Sequence, residues 1–277
     1  MDSRLKILLT GSNGYLGQNF LNYFSNSNFD ITFILRSEID DLIRNYENKD
    51  LFFKINIKFK NKYDVIIHTA ALSYSECKKD PQKGKTINTL LTEILTDYSI
   101  KHNCYFIFFS SVQVYGSILN GIYNEGTKIS PDTEYSISKA NAEKYIMNKI
   151  SRNLLKGSIL RIGNVVGLPK SKLSSGWKLF ANNAIREAVS KKEIKIKNNR
   201  NLRRNFLPID LLMILLRKIL NEINHSNEKI PYVINVTTGE SLTLFEYCQL
   251  LAEKYNEIFY ERPKIFYDNS LSMDIPF

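Results

Sequence analysis

Residues 4–17 read R-L-K-I-L-L-T-G-S-N-G-Y-L-G, with the glycines spaced as G-x-x-G-x-x-G. The apolar run 7–9 is typical of a buried strand, and a helical pattern opens at the end of the glycine turn. A strand, a tight turn and a helix N-terminus in this order favour a dinucleotide site, whereas the same glycines without this context would indicate only a glycine-rich turn. We therefore expect the chain to bind a dinucleotide here.

Each glycine of this turn has its own predicted task. Gly11 lets the backbone turn sharply off the strand, Gly14 leaves room for a pyrophosphate, and Gly17 lets the helix lie close to the sheet. The free N–H groups at the helix N-terminus then face the phosphates. We expect the cofactor to contact Gly11, Asn13, Gly14, Tyr15, Leu16 and Gly17.

The composition is that of a globular protein with a sizeable core. The chain has 277 residues, enough for one domain or two closely joined ones. No stretch approaches the roughly 20 consecutive apolar residues that span a bilayer, and the first strand begins without a signal-peptide pattern. We therefore expect a cytoplasmic protein without a membrane partner.

The cysteines and histidines do not form a metal-ligand pattern. The cysteines are scattered and odd in number, which favours buried free thiols over disulfides or a zinc site. The histidines are dispersed too, so no metal site is expected from Cys77, Cys104, Cys248, His68, His102 and His225.

The formal charge of +10 raises the question of a nucleic-acid partner. The lysines are spread along the chain, and the densest basic run, 191–197, alternates with acidic and apolar residues as in a half-exposed strand. We therefore expect no nucleic-acid partner, although the positive field would favour small anionic ligands.

Apolar patterns of strand and helix type alternate along the N-terminal part of the chain. After a helix from Tyr15 to about Ser25, strand patterns cover 31–35, 52–57, 64–71 and 105–109, with a helix over 84–100. Strands joined by helices predict right-handed crossovers and a parallel sheet with helices on both faces. The predicted fold class is α/β, a Rossmann-type doubly wound parallel sheet with a smaller discontinuous substrate-binding lobe.

The end of the second strand is where a dinucleotide site selects its cofactor. Here the chain offers Arg36 and Ser37, and the first carboxylate is Glu38. An arginine at this place can meet a 2′-phosphate, so NADP(H) is favoured and NAD(H) remains possible; a simple surface arginine is the other interpretation. The small residues Thr69, Ala70 and Ala71 after the next buried strand would let the cofactor backbone pass close by.

A serine and a tyrosine–lysine pair form the candidate reacting groups. Ser111 follows the strand over 105–109, and Tyr135 and Lys139 are spaced i and i+4, so they share one helix face. A neighbouring ammonium predicts a lowered pKa for the Tyr135 phenol, and Ser111 would hold the substrate oxygen. Without the glycine turn and the serine, an exposed helix pair would explain the same spacing.

Taken together, the motifs resemble an extended short-chain dehydrogenase/reductase of the branch that acts on nucleotide-activated sugars. They cover nearly the whole chain: T-G-S-N-G-Y-L-G at 10–17, H-T-A-A at 68–71, F-S-S-V-Q-V-Y-G at 109–116, Y-S-I-S-K at 135–139, L-R-I-G-N-V-V-G at 160–167, R-R-N-F-L-P-I-D at 203–210, and the late strand and helix entry at 232–243.

The resemblance implies roles for individual positions. Ser111, Tyr135 and Lys139 would be catalytic, and Lys139 would also hold the nicotinamide ribose. Asn164 would contact the substrate and Arg204 its diphosphate. The remaining implied contacts are Asn56, Ile57, Asn88 and Ser110 for the cofactor and Gln113 for the substrate.

The residues after Ser111 help to choose among the family's reactions. In dehydratases of this type, the two positions held here by Val112 and Gln113 carry an acidic pair. In reductases that also epimerise, the position of Gln113 carries a cysteine. This leaves reduction of a keto-sugar nucleotide or 4-epimerisation. Because of Arg36, we expect an NADPH-dependent 4-ketoreductase for a nucleotide-diphospho-(deoxy)sugar used in surface polysaccharide synthesis. The alternatives are an NAD-dependent nucleotide-sugar 4-epimerase and a non-catalytic dinucleotide-sensing protein.

The C-terminal half is predicted to alternate between two lobes. Residues 1–165 and 198–235 would form the cofactor domain, and 166–197 and 236–277 the substrate lobe, with the nucleotide sugar in a cleft between them. In this half we expect a helix beginning at 177–180, a strand over 193–197, a helix over 211–220 with Asp210 as its N-cap, and a helix from Leu244 to about Tyr255. The resemblance also suggests a homodimer formed through the helices at 84–100 and 136–150.

Overall fold

The computed structural model describes residues 4–45, 62–116, 121–225 and 230–268. The predicted strand over 52–57, together with the candidate cofactor residues Asn56 and Ile57, lies outside the described residues. The chain divides into two compact units. The first unit comprises Met1–Ser117, Tyr123–Ile162 and Met213–Asn235, and the second comprises Ile118–Ile122, Gly163–Leu212 and Val236–Phe277.

The strands of the described residues follow the predicted order closely. They are β1 (Lys6–Thr10), β2 (Asp30–Ile34), β3 (Val65–His68), β4 (Tyr105–Ser111), β5 (Gly157–Ile162), β6 (Asn164–Val166), β7 (Glu193–Ile196), β8 (Arg203–Arg204), β9 (Phe206–Pro208), β10 (Val233–Val236), β11 (Leu242–Thr243) and β12 (Lys264–Tyr267).

The helices connect these strands. They are α1 (Tyr15–Tyr23), α2 (Arg36–Asn45), α3 (Tyr74–Lys79), α4 (Pro81–Lys85), α5 (Leu91–His102), α6 (Glu134–Ser151), α7 (Phe180–Lys191), α8 (Ile209–His225) and α9 (Leu244–Phe259), with a π turn over Thr86–Leu90 and 3₁₀ turns over Val112–Tyr115 and Ser175–Lys178.

A six-stranded sheet in the order β10-β5-β4-β3-β1-β2 organises the first unit. β1 pairs in parallel with β2 and β3, and β4 pairs in parallel with β3 and β5. The predicted α/β class with a Rossmann-type parallel sheet is therefore confirmed. β2 is less buried than its apolar sequence predicts, because it is the edge strand among the described residues and Phe33 remains 41% exposed.

The core of the first unit lies between this sheet and its helices. Ile66, Phe106 and Phe108 on the sheet pack against Tyr98 of α5 and Ile146 of α6, and all five are buried. Burying an apolar side chain of this size contributes about 1.5–3 kcal/mol. This packing holds β3 and β4 against α5 and α6.

Two predicted helix starts differ from the structure. The helix expected over 84–100 is divided, because α4 ends at Lys85 and the π turn precedes α5. α8 begins at Ile209, so Asp210 lies within its first turn rather than at the N-cap. By contrast, Thr243 caps α9 together with Glu246, as the motif S/T-x-x-E predicts for a helix start.

The second unit has its own core around α7, β7 and α9. Ala188 of α7, Ile194 of β7 and Cys248 of α9 are fully buried there. β7 pairs with β12, β6 with β9, and β8 with β11. The 3₁₀ turn over Ser175–Lys178 stands where the sequence predicts the helix start at 177–180, and α7 follows from Phe180.

The described residues contain three free, buried cysteines. Across the same ranges, no helix has the length and apolarity needed to cross a bilayer, and no cluster of His, Cys, Asp and Glu side chains has the arrangement of a metal site.

Candidate active site

The glycine turn at the end of β1 is built from close backbone contacts. Gly11 has φ +77°, and a Cβ there would lie 2.6 Å from Ala70 N. A Cβ on Gly17 would overlap the carbonyl oxygen of Gly11 and lie 2.7 Å from the Cα of Ser12. The turn, the start of α1 and the residues after β3 can therefore meet only because these positions are glycine.

The start of α1 has the features of a pyrophosphate site. Gly14 is the N-cap and offers no side-chain hydrogen bond, and the first turn carries no acidic residue. Among the described residues, the buried hydroxyl of Ser12 has no hydrogen-bond partner. Unpaired N–H groups and the helix dipole favour an anion at such an end. The residues present thus fit the phosphates of a dinucleotide.

Thr69 and Ala70 lie against this turn. Thr69 Oγ1 donates a 2.7 Å hydrogen bond to the carbonyl of Thr10, which fixes the end of β3 beside the end of β1. Ala70 is buried and Ala71 is exposed. The structure thus brings three of the predicted cofactor segments together: the glycine turn, the residues after β3 and the start of α1.

The end of β2 carries both a cation and a carboxylate. Arg36 and Ser37 begin α2 and are exposed. The carboxylate of Glu38 accepts a 2.6 Å hydrogen bond from the N–H of Leu35, so it lies at the end of the strand. An arginine suits a 2′-phosphate and a carboxylate suits the ribose hydroxyls. Both features bear on which cofactor is bound.

The side chains of Ser111 and Tyr135 lie near each other, since the Ser111 hydroxyl opposes part of the rise in the pKa of the Tyr135 phenol. The Ser111 hydroxyl accepts a 3.2 Å hydrogen bond from the N–H of Gln113. Ser111 is the last residue of β4, and Tyr135 lies in the first turn of α6, where Thr133 is the N-cap. The structure therefore brings these two candidate residues together, with the half-buried Gln113 beside Ser111.

The predicted lowering of the Tyr135 pKa is wrong in this structure. Burial raises the pKa of the Tyr135 phenol to about 12, and the hydrogen bond with Ser111 opposes only part of this shift. The Lys139 ammonium donates a 2.8 Å hydrogen bond to the carbonyl of Phe109 and lies 4.7 Å from the centre of the Phe108 ring. Burial lowers the pKa of Lys139 to about 8. The phenol is therefore in its neutral, proton-donating form at neutral pH.

Asn88 is fully buried in the π turn before α5. Its side chain contacts the backbone of Leu72, the thiol of Cys77 and, at 3.0 Å, the hydroxyl of Ser138. Ser138 in turn donates to the carbonyl of Tyr135 at 2.7 Å. The predicted cofactor role of Asn88 stays a prediction, while these contacts link the loop after β3 to the start of α6.

The hydroxyl of Ser110 is directed to a buried carboxylate. It donates to Glu143 Oε1 at 2.5 Å, and Glu143 pairs with Arg161. The predicted contact of Ser110 with the cofactor stays a prediction. The motifs in the sequence did not indicate a role for Glu143 or Arg161, although a lone arginine in the buried strand G-S-I-L-R-I is a signal that a buried partner exists.

His68 is a second buried polar residue without a predicted role. The Thr92 hydroxyl donates its proton to the carbonyl of Asn88, so it can only accept a hydrogen bond from His68 Nε2, at 3.0 Å. The other ring nitrogen, Nδ1, therefore accepts a 2.6 Å hydrogen bond from the Thr10 hydroxyl. Burial holds the pKa of His68 well below its usual range. The neutral ring therefore supports the end of β3.

The predicted substrate residues Asn164 and Arg204 both lie in the second unit, close to each other. Asn164 N and Nδ2 both donate to the carbonyl of Asn205, at 2.9 and 3.3 Å. Arg204 is half-buried, its pKa is lowered by that burial, and no carboxylate of the described residues pairs with it. An unpaired guanidinium of this kind suits an anionic ligand.

A basic pocket of about 510 Å³ lies within the second unit. Trp177 lines it, and the Arg186 guanidinium lies 5.7 Å from the centre of the indole ring. A flat aromatic side chain among cations can stack on a base and attract phosphate. The cations that line the pocket are Lys172, Lys178, Arg186, Lys195 and Lys197.

A model of the NAD dependent epimerase/dehydratase family matches residues 7–249. The chain belongs to this family. The match spans the glycine turn, the Ser111–Tyr135 pair and both substrate candidates, and it places the chain among extended short-chain dehydrogenases/reductases. A nicotinamide dinucleotide is the cofactor of such a site, in agreement with the anion-binding features at the start of α1.

The relatives in this family include several reactions at low sequence identity. D-erythronate dehydrogenase of Haemophilus influenzae is 25% identical over 67% of this chain and 62% of its own length. GDP-6-deoxy-D-talose 4-dehydrogenase of Aggregatibacter actinomycetemcomitans is 24% identical over 92% and 84%. The chain spans only 49–62% of the length of the first three curated relatives. UDP-glucuronic acid 4-epimerase of Bacillus cereus shares the fold, with a TM-score of 0.73, 20% identity and coverage of 95% and 86%.

Proposed function

We propose that the protein reduces the 4-keto group of a nucleotide-diphospho-(deoxy)sugar with NADPH. The observation that carries the proposal is the Ser111 hydroxyl beside a protonated Tyr135 phenol, with the neutral residues Val112 and Gln113 directly after Ser111. Ketone reduction needs a proton donor and a hydrogen-bond donor at the reacting oxygen. Elimination of water would need a further acid and base, which these two positions do not supply.

Each side chain has one task in this reaction. Bound NADPH would supply the hydride to C4. Tyr135 would donate its phenolic proton to O4, and Ser111 would donate a hydrogen bond to the same oxygen. Lys139 would hold the nicotinamide ribose, as the family resemblance implies, and solvent would return a proton to the phenolate left on Tyr135. A phenol that is neutral in its resting state carries the proton that ketone reduction needs.

The choice of NADPH rests on Arg36. Its exposed guanidinium directly follows β2, where a charge-assisted contact with a 2′-phosphate would form. For the substrate, we propose that Arg204 and the basic pocket around Trp177 bind the diphosphate and the base. GDP-6-deoxy-D-talose 4-dehydrogenase is named for the same carbon of a nucleotide sugar and matches over most of both chains. This similarity supports a nucleotide sugar as the substrate and C4 as the reacting carbon.

The test is oxidation of NADPH in the presence of 4-keto-6-deoxy nucleotide sugars that differ in their base. We expect turnover with at least one of them, and none for Tyr135→Phe, which should still bind coenzyme. Tyr145→Phe is the matched control, because its phenol lies on the same helix but bonds to Asp97. Failure of the whole panel with both coenzymes would refute the proposal. Turnover by the Tyr135→Phe variant would refute the role of the phenol.

An NAD-dependent nucleotide-sugar 4-epimerase is the second candidate. The carboxylate of Glu38 at the end of β2 favours it, since a carboxylate there can accept the ribose hydroxyls of NAD. An epimerase would retain NAD through purification and turn over without added coenzyme.

We further propose a role in surface polysaccharide synthesis, a cytoplasmic location and a homodimer. Light scattering of the purified protein tests whether it is a dimer.

A further inference from the structure

Glu143 and Arg161 form an ion pair that is buried within the first unit. Their side chains are 3% and 8% exposed, with Arg161 Nη2 2.7 Å from Glu143 Oε2. Arg161 Nε lies 3.1 Å from each carboxylate oxygen, so the contact is bidentate and fixes the orientation of both groups. A buried pair is seldom more stabilising than packed apolar side chains. Stability alone therefore does not explain it.

Hydrogen bonds attach the segment around Ser111 to this ion pair on both sides. Before Ser111, the hydroxyl of Ser110 donates to Glu143 Oε1. After it, the phenol of Tyr115 accepts a 2.8 Å hydrogen bond from Arg161 Nη1, and the guanidinium lies 4.9 Å from the centre of that ring. The end of β4 and the 3₁₀ turn after it are thus anchored to one pair of charges.

The same pair also holds the helix that carries the proton donor. Glu143 lies on α6, four residues after Lys139 and eight after Tyr135, which corresponds to about one and two helical turns. Arg161 lies on β5, opposite Ser110 in the pairing of β4 with β5. The ion pair therefore joins β4, β5 and α6 at one point.

We propose that Glu143 and Arg161 are positioning residues, which set the distance and angle between the Ser111 hydroxyl and the Tyr135 phenol. Ser110 and Tyr115 connect the ion pair to the segment around Ser111 through their hydrogen bonds. The inference rests on the proposed roles of Ser111 and Tyr135 in the reaction. In this arrangement, the Ser110 side chain anchors the end of β4.

The kinetic test compares Ser110→Ala with Ser158→Ala. Ser158 is also a buried serine of the sheet, but its hydroxyl bonds to Tyr105 and to the carbonyl of Pro231. We expect kcat to fall about ten- to a hundredfold for Ser110→Ala, with an unchanged KM for the coenzyme, because small displacements of reacting groups have large effects on rate. Ser158→Ala should keep the kcat of the original protein. Equal kcat values for the two variants would overturn the proposal.

A double variant separates positioning from stability. Glu143→Leu with Arg161→Met replaces the pair by apolar side chains, which often preserves or raises stability. We expect it to remain folded and to lose kcat at least as strongly as Ser110→Ala. A folded double variant with the original kcat would contradict the inference.

A substrate-free measurement keeps this test independent of the proposed function. Tyrosine labelled with ¹³C at the ring carbon that bears the hydroxyl gives a resonance for Tyr135, which Tyr135→Phe assigns. We expect this resonance to move in Ser110→Ala and to stay in place in Ser158→Ala. If no nucleotide sugar is turned over, the proposed reaction fails while the resonance still reports on positioning. An unmoved resonance would refute the inference.

Discussion

The amide of Asn88 donates a 3.0 Å hydrogen bond to the hydroxyl of Ser138, joining the π turn before α5 to the first turns of α6. The same amide is held to the backbone of Leu72 through its Oδ1, which accepts from the N–H at 2.7 Å. Leu72 directly follows the small residues after β3. Asn88 thus fixes the loop beside the glycine turn relative to the helix of Tyr135. π turns inside helices are frequent at functional sites.

Replacing Asn88 by alanine should therefore weaken both the fold and the site. The change leaves the N–H of Leu72 buried without its acceptor, which costs about 1–3 kcal/mol of unfolding free energy. It also frees Ser138, so we expect a fall in kcat/KM. Urea unfolding and steady-state kinetics measure the two effects. Thr96→Ala is the control, because that buried hydroxyl donates to the carbonyl of Thr92, within the same helix. Equal kcat/KM values for the two variants would contradict the linking role.

Arg36→Ala should change the preference between coenzymes. A charge-assisted hydrogen bond contributes about 1.5–3 kcal/mol, so we expect the KM for NADPH to rise about tenfold or more while the KM for NADH stays unchanged. Arg44→Ala serves as control, because Arg44 lies at the other end of α2 and pairs with Asp41. Initial rates over a range of each coenzyme give these constants. If the KM for NADPH is the same in both variants, Arg36 does not recognise the 2′-phosphate.

Gly17→Ala should disrupt the glycine turn. The added Cβ would overlap the carbonyl of Gly11 and lie 2.7 Å from the Cα of Ser12, and these backbone atoms cannot move aside cheaply. Overpacking of this kind costs about 1–3 kcal/mol. Thermal unfolding and coenzyme binding should both be impaired. Gly126→Ala is the control, since its nearest contact would be the side-chain oxygen of Asn124 at 3.4 Å. A Gly17→Ala protein that binds coenzyme normally would show that the close approach is not needed.

The sequence predicted the sheet because its strands are long apolar runs with clear ends. β1, β3 and β4 fall where the patterns place them, since their residues are buried on both faces. The π turn was missed, because no local pattern of residue types distinguishes its five residues from a turn of α-helix. The position of Asp210 inside α8 was missed because Ile209 fits a helix start as well as a strand end.

The positions of the candidate residues were predicted more accurately than their charges. Spacing alone placed Tyr135 and Lys139 on one helix face, and the nearness of Ser111 followed from the end of β4. The direction of the phenol's pKa shift depends on burial and on the turn of the Lys139 ammonium toward the carbonyl of Phe109. Neither can be seen in a local pattern. The Glu143–Arg161 ion pair was missed for the same reason, since its two residues meet only when α6 packs on β5.

The lowered pKa of Lys139 predicts how stability depends on pH. Burial lowers this pKa to about 8, whereas an unfolded lysine titrates near 10.4. Between these values the unfolded chain holds a proton that the folded chain has released, so raising the pH stabilises the folded state. From pH 8 to 9.5 we expect the free energy of unfolding to rise by about 1–2 kcal/mol more in the original protein than in Lys139→Met. Urea unfolding at both pH values measures the difference, and parallel pH dependences would show that Lys139 titrates normally.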